Sequence, residues 1–212
     1  MPLDTACLIS CGVMTGAGAA INTAQVWPGA LIVVVGCGGV GPSAVQGCHI
    51  AGARMVVAVD TAEHKLQMAR DFGATHGVNA SDADWVKQVL QLTGGGADFA
   101  IECVGVGSVA AQMCGVLAKG GTAVTVGVAS PTDTVPVKAL PFTMGERTLK
   151  GSCFGSARPR EDFLRLIGLY RAGRLKLDEM ITRRYPLAQA AQAFDDLASG
   201  RNARSVRVFD GA

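Results

Sequence analysis

The 212-residue sequence is poor in charge and has no long apolar run. Charged residues make up 17% and hydrophobic residues 49%, which excludes a disordered chain or one that coats nucleic acid. The formal net charge of +2 gives no electrostatic reason to expect a nucleic acid partner. The longest aliphatic stretch, ALIVVV, is far shorter than the ~20 residues of a membrane span. No basic and apolar leader precedes it, so we expect neither a secretion signal nor a membrane partner.

Paired cysteine spacings are also missing. The seven cysteines, an odd number, show no disulfide-like pattern, and no C-x-x-C motif occurs. Free thiols are typical of a reducing compartment, so we expect a cytoplasmic protein. The sequence has no internal repeat, low-complexity tract or long charge run, and its 28 glycines stand at turn-like positions rather than in a linker.

Short aliphatic runs alternate with helical patterns along most of the chain. β-Branched runs that end at glycine predict strands, and apolar residues at helical spacing predict helices. The predicted strands are 30–36, 55–60, 76–79, 97–105, 121–128, 148–154 and 205–209, and the predicted helices are 39–51, 62–72, 83–92, 108–118, 160–172 and 187–199. This alternation indicates right-handed crossovers and a parallel sheet covered on both faces.

The two ends of the chain depart from this alternation. Residues 1–24 predict small-residue helices outside the sheet, and three prolines in SPTDTVPVKALPF predict an irregular connection. We therefore expect an α/β fold: a doubly wound, six-stranded parallel Rossmann sheet in the order 3-2-1-4-5-6, with short helical appendages at both ends. The expected parts are linking helices at 1–25, a dinucleotide-binding domain at 26–158, and C-terminal helices with a final strand at 159–212.

The glycine-rich stretch GCGGVG, residues 36–41, follows a predicted strand directly and opens a predicted helix. A bare G-x-G-x-x-G is weak, but here each glycine has a reason. Gly36 permits a tight turn, Gly38 lets the backbone approach a pyrophosphate, and Gly41 lets the helix pack on the strand. The helix N-terminus offers free N–H groups to phosphate, and Pro42 fits its first turn. The stretch predicts a dinucleotide-binding loop rather than a purely structural turn.

Asp60 ends the second predicted strand, 19 residues after Gly41. A carboxylate there accepts hydrogen bonds from an adenosine ribose, although it could also cap the helix that begins near Ala62. Thr61 is neutral and no arginine is adjacent, so a 2′-phosphate would meet the carboxylate without a counter-charge. The pattern favours NAD over NADP. A methyltransferase, which can also use a glycine loop and a strand-end acid, stays open as a competitor at the level of fold.

Together with further stretches, these residues resemble the zinc-type medium-chain alcohol dehydrogenases, especially their thiol-dependent formaldehyde dehydrogenase branch. The stretches that carry the resemblance are LISCGVMTGAGAAINTA, GCGGVG, VAVD with EHK, ECVG, TVGV, LKGSCFG and AFDDLASGRNARSVRVF, in the family's order. The resemblance implies hydride transfer between a small alcohol or aldehyde substrate and NAD. It also implies a catalytic zinc bound by a cysteine, a histidine and a further cysteine, and Cys11 matches the last of these.

The resemblance implies contacts to the adenosine and phosphate part of the cofactor. Asp60 and Lys65 would hold the adenosine ribose, and Val104 would lie on the adenine side. Val40 would flank the pyrophosphate, and Arg204 would reach a cofactor phosphate. The implied loop contacts are Gly36, Gly38, Gly39, Val40 and Gly41.

At the nicotinamide end the resemblance implies a second group of contacts. Thr15 takes the catalytic position beside the nicotinamide. The backbone at Val126 and Val128, together with Phe154, would hold the carboxamide. Val106 stands where family members offer a cationic side chain, so one anchor of the cofactor is missing here.

The sequence departs from the family in what it lacks. In the family, an amino-terminal domain supplies the other zinc ligands, a proton relay, most of the substrate pocket and a four-cysteine structural zinc loop. His49, His64 and His76 fall in the nucleotide domain, away from Cys11. One thiolate is not a zinc site, since a catalytic zinc needs about three protein ligands. We therefore expect the coenzyme-binding part of an NAD-dependent alcohol dehydrogenase, with an incomplete zinc site.

Two other functions stay open. The chain could be a free-standing NAD-binding module or pseudoenzyme without catalysis of its own. It could also be a zinc-free enzyme of the quinone reductase type, although Cys11 in its SCGVMTG context weighs against this.

The stretch TLKGSCF, residues 148–154, predicts the last strand of the sheet, at its edge. It is short on the charges that discourage edge pairing, and the resembling family closes this edge against a second subunit. We therefore expect a homodimer through strand 148–154.

Overall fold

The structure, a computed structural model, describes residues 1–199 and 204–209. Parts of the predicted C-terminal region, 200–203 and 210–212, lie outside the described residues. The described part contains one large sheet, one small sheet and helices on both faces of the large one.

Six parallel strands form the large sheet in the order β3-β2-β1-β4-β5-β6, which confirms the predicted topology. The strands are β1 (Leu31–Val35), β2 (Met55–Asp60), β3 (His76–Asn79), β4 (Ala97–Glu102), β5 (Leu117–Thr125) and β6 (Thr148–Gly151). Strand order reverses between β1 and β4, and in doubly wound sheets a ligand binds at this switch point, outside the carboxyl ends of the strands.

The central strands are apolar throughout because both faces of the sheet are covered. Alternate side chains of a strand point to opposite faces, so Ile32 and Val34 enter one hydrophobic cluster while Val33 and Val35 enter the other. The continuous LIVVV run of β1 is therefore typical of a doubly covered parallel strand.

Nine α-helices lie in the described residues. They are α1 (Leu3–Ala6), α2 (Gly12–Gly18), α3 (Gly41–Ile50), α4 (Glu63–Asp71), α5 (Trp85–Leu92), α6 (Gly107–Met113), α7 (Ala139–Met144), α8 (Pro159–Arg171) and α9 (Ala190–Ala198). Helices α2, α3, α4 and α8 contribute side chains to one cluster, and α5 and α6 contribute to the other. The sheet is thus wound on both sides, as predicted.

Two elements were not predicted. Helix α7 forms inside the proline-containing connection because Pro141 lies in its first turn, where the missing N–H needs no partner. Strand β7 (Arg183–Pro186) pairs in parallel with β8 (Ser205–Val208) in a separate two-stranded sheet. Its sequence, RRYP, is polar and ends in proline, so it carries no strand pattern.

The N-terminal helix α2 packs very closely on α3. A Cβ atom on Gly16 would lie 2.6 Å from the amide nitrogen of Ala44 and from the carbonyl oxygen of Val40, and one on Gly47 would lie 2.8 Å from Ala17 Cα. Only glycine at these positions lets the two backbones approach so closely. The segment 1–25 therefore shares its core with the sheet domain, and the division at residues 25 and 158 stays a prediction.

A π-helical turn, Ala19–Ala24, continues α2 towards the sheet. No single helix in residues 1–199 and 204–209 has the length and apolar composition to cross a membrane. The segments Leu3–Ser10 and Gly12–Ala24, bent by 51° relative to each other, meet that test only as a pair.

Candidate functional site

The glycine-rich loop has the geometry that its spacing predicts. Gly36 has φ +90°, and its N–H donates to the Val59 carbonyl at 2.8 Å. A Cβ atom on Gly38 would meet nothing within 4 Å, so the backbone there is open to a ligand. A Cβ atom on Gly41 would overlap the carbonyl oxygen of Gly36, which explains the need for glycine where α3 meets β1.

Helix α3 begins directly at this loop. Val40 is its N-cap residue and Pro42 lies in its first turn. Within residues 1–199 and 204–209, no side chain caps this N-terminus. A ten-residue helix with an uncapped N-terminus presents partial positive charge, and anions are stabilised there.

Asp60 stands beside the loop at the end of β2, and its side chain is buried. Its Oδ2 accepts the Cys37 N–H at 2.8 Å, and its Oδ1 accepts the Ala62 N–H at 3.0 Å. Lys65 Nζ lies 3.9 Å from Oδ1. Asp60 therefore joins the loop to Ala62, the residue that precedes α4. No side chain of the described residues caps α4, so Asp60 does not act as its cap, and ribose binding by Asp60 stays a prediction. Each carboxylate oxygen keeps a further lone pair for a ligand hydroxyl.

A cleft of about 280 Å³ lies in front of Asp60. It is lined by Val35, Gly36, Gly38, Val59, Asp60, Thr61, Lys65, Ala80, Cys103, Val104 and Val109. Five of the predicted cofactor-binding residues thus meet in one place: Gly36, Gly38, Asp60, Lys65 and Val104. The cleft is mostly apolar with a carboxylate and an ammonium group at one side, which suits a flat base joined to a ribose.

Glu102 organises the neighbouring loop, a role that sequence reasoning missed. It is 1% exposed, and its Oε1 accepts the N–H groups of Val104 at 2.5 Å and Gly105 at 2.6 Å. Its backbone carbonyl accepts the N–H of Val126 at 2.9 Å. The sequence does carry a signal for this role: an acidic residue stands at the end of an apolar strand, shortly before a glycine. Glu102 holds the turns after β4 and β5 together.

The turn after β5 passes directly beside the turn after β4. A Cβ atom on Gly105 would lie 2.7 Å from the carbonyl oxygen of Val128. Val126 is buried, whereas the side chain of Val128 is 96% exposed, and Val106 is also exposed. The backbone of this turn is therefore fixed while the Val128 side chain stands in the open.

Arg204 reaches the phosphate loop from the C-terminal part of the chain. Its guanidinium donates to the carbonyl oxygen of Gly39 and lies against Gly12, where a Cβ atom would be 2.9 Å from its Cζ. Its Nε is buried and has no hydrogen-bond partner among the described residues. Burial lowers the pKa of Arg204, while the nearby Cys11 and Cys7 raise it. A cation beside the loop, with one donor unused, is suited to an anionic ligand.

Cys11 is exposed and immediately precedes α2, the helix that also carries the half-buried Thr15. Among residues 1–199 and 204–209, no group of three or more histidine, cysteine, aspartate or glutamate side chains could hold a metal ion. The zinc site that the resemblance implies is therefore not complete within the described residues, and Cys11 is one donor only.

Two other thiols near the loop, those of Cys37 and Cys103, have raised pKa values. Burial raises the pKa of Cys37 to about 12, and Asp60 acts in the same direction. Burial likewise raises the pKa of Cys103 well above its usual value. These thiols stay protonated near neutral pH, so neither offers a thiolate to a metal or an electrophile.

The turn that carries Phe154 lies against α2. A Cβ atom on Gly155 would lie 3.0 Å from the carbonyl oxygen of Thr15, and the half-buried Phe154 stacks edge-on with Phe163 at 6.5 Å between ring centroids. The structure therefore brings the turn that carries Phe154 next to the part of α2 that carries Thr15. Neither residue lines the cleft in front of Asp60, and their contact with a nicotinamide stays a prediction.

Comparison with known proteins agrees with this geometry. Residues 39–171 match the family of zinc-binding dehydrogenases. The chain is 43% identical over 210 residues to the NDMA-dependent alcohol dehydrogenase of Amycolatopsis methanolica, covering 97% of this chain and 56% of that protein. It is 39% identical over 215 residues to the S-(hydroxymethyl)glutathione dehydrogenase of Saccharomyces cerevisiae, covering 99% of this chain and 55% of that protein.

A solved structure gives the same result at the level of coordinates. The benzyl alcohol dehydrogenase of Acinetobacter calcoaceticus superposes with a TM-score of 0.94 at 30% identity, over 98% of this chain and 57% of that one. The chain thus spans 55–57% of the length of these relatives. By sequence and by fold, it belongs to the zinc-binding dehydrogenase family.

Proposed function

We propose that this chain is the coenzyme-binding part of an NAD-dependent, zinc-type alcohol dehydrogenase. The observation that carries the proposal is the loop geometry: a bend at Gly36, open backbone at Gly38 and tight packing at Gly41. These three conditions are those that a pyrophosphate between a strand and a helix N-terminus requires. The names of the relatives, all alcohol or aldehyde-adduct dehydrogenases, supply the substrate class.

The chain's own residues would bind and orient the cofactor. The N-terminus of α3 and Arg204 would meet the pyrophosphate, because both present positive charge at the loop. Asp60 would accept hydrogen bonds from the adenosine ribose, and Val104 would cover the base. When bound, NAD accepts the hydride that the alcohol loses. Thr15 and Phe154 would confine the nicotinamide at the other end of the cleft.

The charges of the cleft favour NAD over NADP. Asp60 is a buried carboxylate at the position proposed for the adenosine ribose, and the neighbouring Thr61 is neutral. The carboxylate would repel a 2′-phosphate at this position. The nearby ammonium group of Lys65 already lies close to the Asp60 carboxylate.

The zinc part of the proposal is limited to Cys11. The exposed Cys11 would be one ligand, and the other ligands would come from the part of the relatives that this chain does not cover. Residues 1–25 would then join the two parts, with the dinucleotide domain at 26–158 and the C-terminal elements at 159–212.

Calorimetric titration of the chain with NADH and NADPH tests the proposal. We expect NADH to bind and NADPH to bind at least about tenfold more weakly. Alcohol oxidation by the chain alone should be undetectable, and it should appear when the amino-terminal part of the Amycolatopsis relative is added. Equal affinities for the two cofactors, or binding of neither, would overturn the proposal.

A free-standing NAD-binding module is the second candidate. The observation in its favour is that the described residues offer no complete metal donor set. The two candidates differ in the complementation experiment: a module binds NADH but gains neither zinc nor alcohol oxidation when the amino-terminal part is supplied.

We further propose a homodimer through β6, which lies at the sheet edge with all four residues exposed. The strand ends at Gly151 rather than at residue 154, and the Ser152 N–H donates inward to the Thr125 carbonyl at 2.9 Å. Proline at Ser152 would therefore break a bond inside the sheet. Along a strand, alternate residues direct their N–H groups to opposite sides. The N–H groups of Leu149 and Gly151 therefore point away from the sheet, towards the proposed second subunit.

Sedimentation of Leu149→Pro tests the dimer. The change removes an outward donor from the edge strand, where proline is tolerated, so the dimer should weaken at least about tenfold with little loss of monomer stability. The control Ser152→Pro should instead lower the free energy of unfolding. An unmodified chain that is monomeric at micromolar concentration would contradict the proposal.

The cellular compartment follows from the thiols. All seven cysteines are free, three of them exposed. Exposed free thiols persist in a reducing environment, so we propose the cytoplasm.

A further inference from the structure

The turn after β6 has a backbone conformation that needs outside support. Phe154, Gly155 and Ser156 have φ angles of +54°, +66° and +49°. A left-handed conformation is disfavoured for phenylalanine and serine, and three such residues in a row persist only when surrounding groups hold them. The turn is therefore held in place by its neighbours rather than by its own preferences.

Asn22 is the first of these neighbours. Its Nδ2 donates to the Gly155 carbonyl at 3.1 Å and to Asp162 Oδ2 at 3.1 Å, and its Oδ1 accepts from Arg165 at 2.7 Å. The side chain thus ties the turn to helix α8. Asn22 stands in the π-helical turn Ala19–Ala24, and such wide turns are frequent at functional sites.

Asp162 fixes the orientation of Asn22. It is 3% exposed, and its Oδ2 also accepts the Arg158 N–H at 2.8 Å. Its Oδ1 pairs with Arg165 at 2.8 Å. A buried carboxylate with this full set of partners is costly to disturb, because removing one partner leaves charge uncompensated.

A pair of hydroxyl contacts holds the two ends of the turn. Thr23 Oγ1 lies 2.7 Å from Ser152 Oγ and 2.8 Å from Ser156 Oγ. Thr23 and Ser152 are both buried. The π-helical turn therefore contacts the segment before Phe154, the segment after it and the peptide between.

The turn itself is pressed against the helix that carries Thr15. A Cβ atom on Gly155 would lie 2.8 Å from Gly18 Cα and would overlap the carbonyl oxygen of Met14. No side chain intervenes between the two backbones. A shift of the turn would therefore change the space between Phe154 and Thr15, where the proposed nicotinamide pocket lies.

We propose that Asn22 and Asp162 are positioning residues for the nicotinamide half of the cofactor. They hold the Phe154–Gly155 peptide in its left-handed conformation and act through Phe154, without touching the cofactor. The inference rests on the proposed function, since it takes NAD(H) as the ligand. The inference is that binding of the nicotinamide depends on the hydrogen bonds that join the turn to Asn22 and, through Asn22, to Asp162 of α8.

The test compares two ligands that differ at the nicotinamide end. ADP-ribose shares the adenosine, the pyrophosphate and the second ribose with NADH but lacks the nicotinamide. Asn22→Ala removes three hydrogen bonds, of which the one to the Gly155 carbonyl holds the turn directly. NADH affinity should fall about tenfold in this variant, while ADP-ribose affinity stays within about twofold. Asp162→Asn keeps the shape and one oxygen acceptor, so it should lower NADH affinity less than Asn22→Ala does.

Gln112→Ala is the matched control. It removes an amide that accepts the Trp85 indole N–H at 3.0 Å and links two helices on the other face of the sheet. Neither affinity should change in this variant. If Asn22→Ala fails to fold, the ratio of the two affinities in Asp162→Asn gives the same test.

The possible results separate the inference from the proposed function. An unchanged NADH affinity, or an equal loss for both ligands, overturns the positioning role while the NAD-binding function stands. Failure of the unmodified chain to bind either ligand overturns the proposed function, and the inference with it.

Discussion

The two ends proposed for the cofactor site, the adenosine end and the nicotinamide end, are built in different ways. At the adenosine end, β1, β2 and β4 lie side by side, and Gly38, Asp60, Lys65 and Val104 meet in one pocket. At the nicotinamide end, the turn at Phe154 and the helix that carries Thr15 come from distant parts of the chain, and Cys11 has no metal-binding partners among the described residues.

This difference predicts which part of the proposed function the chain can carry by itself. The adenosine end needs only backbone geometry and one carboxylate, and adjacent strands of the sheet supply both. The nicotinamide end needs several segments held together and further ligands for a metal. Cofactor recognition should therefore survive in this chain, whereas alcohol chemistry should not.

The largest effect is expected at Gly41, the loop glycine where α3 packs against β1. In Gly41→Ala, the new Cβ meets the Gly36 carbonyl oxygen, so backbone must shift. We expect the free energy of unfolding to fall by about 3 kcal/mol and NADH binding to be lost. Urea unfolding and calorimetry measure the two. A variant as stable as the parent would show that α3 can move away from β1 without cost.

Gly38→Ala separates binding from stability. Nothing lies within 4 Å of the new Cβ and φ is not positive, so stability should change by less than about 1 kcal/mol. The methyl group occupies the space that the pyrophosphate needs, so affinity for NADH and for ADP-ribose should fall at least about tenfold. Unchanged affinity for both would place the phosphates elsewhere.

The pair Asp60→Ser with Thr61→Arg tests the ribose position. Removing the carboxylate and adding a cation should shift the NADH-to-NADPH affinity ratio about tenfold towards NADPH. Some stability should also be lost, since Asp60 accepts the N–H groups of Cys37 and Ala62. Thr61→Arg alone is the control, because it adds the cation while the carboxylate stays. A ratio that does not move in the double variant would contradict the assignment of Asp60.

The smallest effect is expected at Cys11. Metal analysis should find well below one zinc per chain, and Cys11→Ala should change neither zinc content nor NADH affinity by more than about twofold. Cys153→Ala, at another exposed thiol, serves as the reference. Tightly held stoichiometric zinc that disappears in Cys11→Ala would mean that the nicotinamide end is complete after all.

The sheet and the arrangement of the glycine-rich loop beside Asp60 could be predicted because their signals are local. The unbroken LIVVV run, the order of the glycines after it and the acid that ends the next strand each lie within a few residues. Helix α7 was missed because prolines usually break helices, and only its position in the first turn makes Pro141 harmless.

The hydrogen bonds that hold the Phe154 turn could not be predicted, because they join residues that are far apart in the sequence. Asn22 and Asp162 are 140 positions apart, and nothing in the neighbourhood of either residue indicates the other. The positive φ angles of Phe154 and Ser156 are also unexpected, because neither residue type favours that conformation. Such contacts are decided by tertiary packing, which the local pattern does not contain.

The glycine contact between α2 and α3 also has a mechanical consequence. With Gly16 against the start of α3 and Gly47 against Ala17, the two helix backbones touch and cannot slide past one another. We therefore expect Cys11 and the phosphate loop to move as one body. If a further domain opens and closes over the cofactor, the hinge must lie outside this helix pair, and the thiol will travel with the pyrophosphate rather than with the moving lobe.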